Sequence, residues 1–290
     1  YRGRFAPSPT GPLHFGSLVA AVASYLDARV HHGDWLVRLE DVDETRTVPG
    51  AADDMLRTLE AFGFQWQGPV LVQSQRKDVY GDVIDQLRRD RIAFDCGCSR
   101  GEIAATARQG PEGPIYPGTC RDHLPAGKRP RSVRLRVAEQ TIGFEDRIAG
   151  YQQQNLAAEL GDFVIRRADG YTAYQLAVVI DDAEQGITDV VRGADLLRST
   201  PRQIYLQGLL ELPTPRYAHV PLVLGLDGHK LSKQDQAHPV DAKTPLPALL
   251  SALAFLGQCP PQEVPASVDE FWQWAIAHWD IDRISRPVEP

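Results

Sequence analysis

The sequence predicts an α/β fold, a Rossmann-type doubly wound parallel sheet that carries an insertion and a short helical C-terminal tail. Three observations lead there. Short apolar runs of strand character alternate with amphipathic helical stretches along most of the chain. Near the N terminus a strand passes into a helix through a segment broken by Pro and Gly, Arg4-Phe5-Ala6-Pro7-Ser8-Pro9-Thr10-Gly11-Pro12-Leu13-His14-Phe15-Gly16-Ser17, the arrangement in which such folds hold phosphates. Far downstream, a second strand and an Asp227-Gly228 turn precede the cationic loop Lys230-Leu231-Ser232-Lys233-Gln234.

In chain order, Arg4 to Ala6 is read as the first strand. The helix from Gly16 follows, with Leu18, Val22, Tyr25, Leu26 and Arg29 at spacings of three and four. Trp35 to Glu40 is an apolar strand ending in charge. Ala51 to Phe62, preceded by Pro49, places Met55, Leu56, Leu59 and Phe62 on one helical face. Val70 to Gln73 is a strand, and Arg76 to Asp90 a helix with Val79, Val83, Ile84 and Leu87. From Ile92 to about Ile148 the rhythm changes to Cys-, Gly- and Pro-rich loops, then to alternation at Val133, Leu135 and Val137, as expected of an insertion. Phe163 to Arg166 is expected to return the chain to the core. The helix Thr172 to Asp182, the strand Ile187 to Arg192 and the helix Pro201 to Leu210 follow, the last with Thr200 as N-cap. Tyr217 to Leu226 is a strand, and Leu246 to Leu256 and Val268 to Trp279 are tail helices. The expected divisions are residues 1–91 and 151–240 for the two halves of the nucleotide-binding domain, 92–150 for the insertion and 241–290 for the tail.

Composition sets the class. Hydrophobic residues at 43% with 24% charged are those of an ordinary globular protein. A net charge of −7 is the wrong sign for a generic nucleic-acid binder. Any RNA contact must use local cations, Arg129, Arg131, Arg134 and Arg136 or Arg166, Arg167, Arg198 and Arg202, though any one of these is more often solvated or paired. No apolar run approaches the ~20 residues of a membrane span. The first motif begins at Arg4, which leaves no room for a secretory signal, so the cytoplasm is the expected compartment.

Chemistry concentrates in three places. A helix beginning near Gly16 aims backbone N–H groups and its dipole at an anion, and His14 adds a side-chain donor. Lys230 and Lys233 can bracket a triphosphate as paired point charges. Cys96, Cys98 and Cys120 suit three of the four positions of a structural zinc site, or are free thiols; ligand chemistry alone nominates His123 as the fourth.

These segments together resemble the class I aminoacyl-tRNA synthetases. His14-Phe15-Gly16-Ser17 is similar to their HIGH element and Lys230-Leu231-Ser232-Lys233-Gln234 to their KMSKS loop. Arg4 to Gly11, Arg38-Leu39-Glu40-Asp41-Val42-Asp43, Tyr174 to Asp182 and Thr188 to Arg192 resemble the glutamyl branch, and the likeness runs from Tyr1 to about Leu256. With room for the catalytic portion alone, the chain is most similar to the glutamyl-Q family, stand-alone paralogues that lack the anticodon-binding domain. The resemblance implies ATP-dependent activation of L-glutamate, without need of tRNA, and transfer to the queuosine of tRNA(Asp); no obligate protein partner is evident from the sequence. It implies catalytic roles for His14, Lys230 and Lys233. ATP would meet Arg4, Phe5, Ala6, Pro7, Ser8, His14, Gly16, Ser17, Lys230, Ser232 and Lys233, with Mg2+ alongside, and glutamate would meet Arg4, Ser8, Glu40, Tyr174 and Arg192. The family's Cys-x-Cys…Tyr-x3-Cys zinc pattern nominates Tyr116 rather than His123, giving Zn2+ on Cys96, Cys98, Tyr116 and Cys120. The alternatives are a truncated glutamyl-tRNA synthetase acting on the usual acceptor end, and a non-catalytic paralogue that binds tRNA or nucleotide. Phe15, Ser17, Leu231 and Gln234 depart mildly from the family motifs. Val178 stands where full-length glutamyl enzymes usually carry Asn, which implies a lost polar contact to substrate or tRNA.

Overall fold

The computed structural model describes residues 1–223 and 239–287. Strand β1 (Arg2–Phe5) pairs in parallel with β2 (Asp34–Leu39), which pairs with β3 (Leu71–Val72). Helices α1 (Phe15–Val30), α2 (Ala51–Ala61) and α3 (Lys77–Arg89) follow these strands. Parallel pairing of neighbours through intervening helices is the βαβ pattern expected from the alternation.

The segment expected to be an insertion contains β4 (Ala93–Cys96), α4 (Arg100–Thr106), the small hairpin β5 (Gln109–Gly110) and β6 (Gly113–Pro114), β7 (Ser132–Leu135) and β8 (Thr141–Asp146). Next come β9 (Gly150–Asn155), α5 (Leu156–Glu159), β10 (Val164–Arg166) and α6 (Tyr174–Glu184). β11 (Asp189–Gly193), α7 (Thr200–Leu209), β12 (Arg216–Val220), α8 (Pro245–Phe255) and α9 (Val268–His278) complete the described elements.

Two local expectations are corrected. β10 does not rejoin the parallel core; it pairs antiparallel with β7, in a three-stranded sheet with β4. Its short apolar run satisfied the strand signal, but that signal does not say which sheet receives it. Thr200 is not the N-cap of α7. Ser199 occupies that position, and the buried Thr200 hydroxyl lies within hydrogen-bond distance of Leu196 O, Arg192 and His219.

The second parallel group runs β11–β12–β8, with β9 antiparallel at its edge. β1 lies beside β11: Thr188 N donates to Arg2 O at 2.9 Å, and Arg2 N to Thr188 Oγ1 at 2.8 Å. The chain therefore leaves β1 toward β2 on one side, while β11 and β12 fill the other. That change of direction is the switch point of a doubly wound sheet, and ligands sit there, outside the carboxyl ends of the strands.

Helix α1 is buried along nearly its whole length, from Leu18 to Ala28, because β1, β2, β11, α8 and α9 all pack around it. A helix apolar on every side is one the fold encloses. The tail is part of this core. Leu249, Ala252, Leu253, Phe271 and Trp272 join Tyr25, Trp35 and Phe64 in one cluster, and Trp272 Nε1 donates to Phe62 O at 2.9 Å. Tyr25 and Trp272 rings lie 4.7 Å apart, edge to face.

A candidate active site at the sheet's carboxyl edge

The carboxyl ends of four strands open on one cavity of about 650 Å³: Phe5 from β1, Glu40 just past β2, Arg192 and Gly193 from β11, and Val220 from β12. The N terminus of α1 forms another wall through His14, Gly16 and Ser17. Every described ATP- or glutamate-contact residue nominated from sequence, from Arg4 to Ser8 and on to Tyr174 and Arg192, lines this space.

His14 is the N-cap of α1. Its Nδ1 accepts the Ser17 N–H at 3.2 Å and its Nε2 lies 3.0 Å from Ser17 Oγ. One N–H of the first turn is thus spent on the imidazole, which the sequence expectation of free donors did not anticipate. A Cβ on Gly16 would lie 3.3 Å from both Cε1 and Nδ1 of that ring, so glycine is what lets it sit against the helix start. Lys230, Ser232 and Lys233 lie outside the described residues. The chain on either side of 224–238 is anchored at the His14 segment. Val223 Cβ is 3.9 Å from where a Gly16 Cβ would stand, His14 bridges to Pro239, and Val240 N donates to Leu13 O at 3.0 Å.

Buried charge holds the opposite wall. Asp182 on α6 accepts from Arg4 Nε at 3.1 Å and from Arg38 Nη2 at 2.6 Å; Arg38 also reaches Glu40 at 3.3 Å and Gln185 at 2.7 Å. Its neighbour Asp181 accepts from Gln73, Tyr80 and Arg76, which ties α6 to the turn and helix that follow β3. Burial pushes the Glu40 carboxyl up, against the pull of Arg38 and Arg4. Burial likewise holds the Tyr174 phenol up at about 12, so it keeps its proton and remains a donor near neutrality.

Arg192 is 5% exposed, and its partners are all neutral: His219, Tyr174, Thr200 and the Leu196 carbonyl. Among the described residues no carboxylate lies within ion-pair distance of it. A buried guanidinium whose charge is not cancelled calls for an anion from outside. Arg38, Asp182, Thr200 and His219 were given no role from sequence. A histidine inside the apolar run Tyr217 to Leu226 was the one signal that could have drawn attention to β12. Val178 does not line the cavity; it is packed in the core with Val133, Leu135 and Leu206, so its own side chain leaves no gap in the described site.

The cysteines do come together. The sulfurs of Cys96, Cys98 and Cys120 lie within 4.8 Å of one another. Sulfurs bound to one tetrahedral zinc at ~2.3 Å stand ~3.8 Å apart, and Cys98 Sγ and Cys120 Sγ are 3.6 Å apart. Tyr116 Oη is 3.4 Å from Cys96 Sγ and accepts the Cys120 N–H at 2.8 Å, whereas His123 is exposed and outside the group. The donor set fits a metal. Cys259 is exposed in the tail.

Of the arginines considered for RNA, Arg129 and Arg131 are exposed. Arg134 lies over the Tyr116 ring at 4.0 Å and donates to Asp162 O; Arg167 and Arg202 pair with Asp43 and Glu112. Arg136 donates to Arg121 O, so these four are engaged within the chain.

Residues 1–257 match the family "tRNA synthetases class I (E and Q), catalytic domain". The glutamyl-Q tRNA(Asp) synthetase of Aromatoleum aromaticum is 56% identical, over 100% of this chain and 92% of its own length. That of Pseudomonas aeruginosa strain LESB58 is 55% identical, over 99% and 96%. The chain belongs to the glutamyl-Q tRNA(Asp) synthetase family. A glutamate tRNA ligase from Elizabethkingia meningosepticum, solved with its amino acid, superposes with a TM-score of 0.78 at 28% identity, covering 98% of this chain and 66% of that one. In this member of the glutamyl-Q family, as the geometry above describes, the site stands where the parallel strands end. No helix among the described residues is long and apolar enough to cross a membrane.

Proposed function

We propose that the chain activates L-glutamate with ATP in the absence of tRNA, forming glutamyl-adenylate and pyrophosphate, and then passes the glutamyl group to the queuosine base in the anticodon of tRNA(Asp). The observation that carries this reading is Arg192, a buried cation with neutral partners facing the same cavity as Arg4, Glu40 and the start of α1. Two guanidinium groups in one wall suit a substrate with two carboxylates, each cation facing one of them. Glu40 suits the ammonium, whose charge would offset the cost of a buried carboxylate, and Ser8 and Tyr174 add hydrogen bonds at the rim.

In the first step the glutamate α-carboxylate attacks the α-phosphorus of ATP and the bond to pyrophosphate breaks. Alignment and charge stabilisation are the protein's part. The backbone from Phe5 to Ser8 and the helix start at Gly16 and Ser17 would lie along the nucleotide. His14 would face its phosphates, and Lys230, Ser232 and Lys233 would meet the leaving pyrophosphate. The anchoring of Val223 and Pro239 beside His14 supports that role for the lysines. Mg2+ would accompany ATP through the phosphates rather than a protein cage.

A zinc ion on Cys96, Cys98, Tyr116 and Cys120 belongs to the same proposal. It would brace the loops between β4 and β7 against Arg134, a structural task and not a chemical one. The division at residues 92 and 150, and a cytoplasmic location beside the tRNA pool, complete the reading.

Glutamate-dependent ATP–pyrophosphate exchange tests it. Exchange without tRNA, followed by labelling of queuosine-bearing but not queuosine-lacking tRNA(Asp), is the expected result. Exchange that appears only with tRNA, with glutamate delivered to the acceptor end, would assign ordinary glutamyl-tRNA synthesis instead. No exchange under either condition would leave a binding paralogue.

A further inference from the structure

The buried arginines of the site are held in two ways. Arg4 and Arg38 lean on the Asp182 carboxylate. Arg192 is gripped by neutral groups: its Nε–H donates to His219 Nε2 at 3.0 Å, one terminal nitrogen to Thr200 Oγ1 at 2.8 Å and the other to Tyr174 Oη at 3.3 Å. A guanidinium N–H can only donate, so His219 Nε2 must carry a lone pair. The ring proton then sits on Nδ1, which donates to Asp146 Oδ2 at 2.6 Å. The other Asp146 oxygen accepts the backbone N–H groups of Ile148 at 3.0 Å, Ala149 at 2.8 Å and His219 at 3.2 Å.

These three side chains cross three adjacent strands, β8, β12 and β11, and Arg192 stands directly opposite His219 in the ladder. His219 is fully buried. Burial, helped by Arg192 and opposed by Asp146, holds its pKa down at about 4, so the ring is neutral near pH 7.

We propose that His219, with its tautomer set by Asp146, is a positioning residue that fixes Arg192 for the substrate's carboxylate without cancelling the guanidinium's charge. A carboxylate in place of the imidazole would hold Arg192 as firmly but neutralise the charge that the substrate must meet. An aliphatic side chain would leave Nε–H buried without an acceptor, and the fork held only at its terminal nitrogens. A neutral acceptor avoids both. The inference rests on the reading that Arg192 contacts glutamate.

The test is glutamate-dependent ATP–pyrophosphate exchange by the full chain, with the fold of each variant checked by its melting transition. Asp146→Asn preserves volume but presents an amide N–H to His219 Nδ1. The ring proton must then move to Nε2, where it opposes Arg192 Nε–H. The expected result is a KM for glutamate roughly 10- to 100-fold higher, with the KM for ATP within about twofold, the range a lost hydrogen bond to a charged group gives. His219→Gln, whose amide oxygen can accept the same N–H, should stay nearer the parent than His219→Ala. In an Arg192→Lys background, which has no Nε–H to hold, Asp146→Asn should add nothing further.

An unchanged KM for glutamate in folded Asp146→Asn overturns the proposal, as does an equal rise in both KM values. If that variant does not fold, equal glutamate KM values for His219→Ala and His219→Gln overturn it. Should Arg192→Lys leave the glutamate KM unchanged, the glutamate reading of Arg192 falls and takes this inference with it. If Arg192→Lys raises the KM while Asp146→Asn does not, the positioning role alone falls.

Discussion

Replacing Asp182 by Asn should loosen the wall that holds both Arg4 and Arg38. The carboxylate accepts two charge-assisted bonds, at 3.1 and 2.6 Å, with a side chain 8% exposed. Each such bond contributes about 1.5–3 kcal/mol. Asn preserves the volume and one acceptor oxygen, and Arg38 retains Gln185 and Glu40. Both arginines donate to the same oxygen, Oδ1, so what is lost is the negative charge they share, the one carboxylate ion-paired with Arg4 among the described residues; that places the cost near the lower end of the ~3–5 kcal/mol found on breaking a buried pair. Urea unfolding at neutral pH should show a lower midpoint with an unchanged slope.

The pH dependence gives a second check. Burial opposes ionisation of Asp182, but Arg38 and Arg4 outweigh it and the carboxyl lies below its ordinary value. A depressed carboxylate stabilises the fold fully above its unfolded pKa, ~3.9, and that contribution disappears as pH falls through the folded value. The difference between parent and variant should therefore be constant above about pH 5 and close below about pH 4. A loss under ~1 kcal/mol at pH 7, the scale of a surface pair, would refute the claim that this cluster holds the site.

Other outcomes are expected. Lys233→Ala should slow adenylate formation roughly 10²–10³-fold, the cost of removing one preorganised charge stabiliser, as read by exchange under saturating glutamate and ATP. Zinc content measured on the purified chain should be one ion per molecule; Cys96→Ser should abolish it and Tyr116→Phe weaken it, while His123→Ala leaves it unchanged. Trp272→Ala should destabilise the fold by about 3–5 kcal/mol, since it removes a ring packed on Tyr25 and Phe64 and a bond to Phe62 O. Calorimetry would read that loss as a lowered melting temperature.

Local information went a long way in this chain. Helical periodicity placed α1, α3 and α9 to within a residue or two, because a buried stripe repeats at the helical period whatever it packs against. The motif around His14 and the strand-end positions of Glu40 and Arg192 pointed to a single cavity, because those residues lie at or just past strand ends where such folds expose their ligands. The three cysteines declared a cluster through their spacing.

Long-range adjacency was not readable in the same way. Whether β10 joined the parallel sheet or paired with β7 depended on partners distant in sequence, and a strand's alternation is the same in either place. The anchoring of Arg4 by Asp182, of Arg192 by His219, and of His219 by Asp146 joins residues from separate strands and helices. None of these pairs leaves a pattern along the chain, because a hydrogen bond between side chains is set by the register of whole elements and not by propensity. Residue type and period declared which chemistry the protein carries; the packing of strands side by side decided which charges are spent on one another and which stands, among the described residues, without a carboxylate beside it.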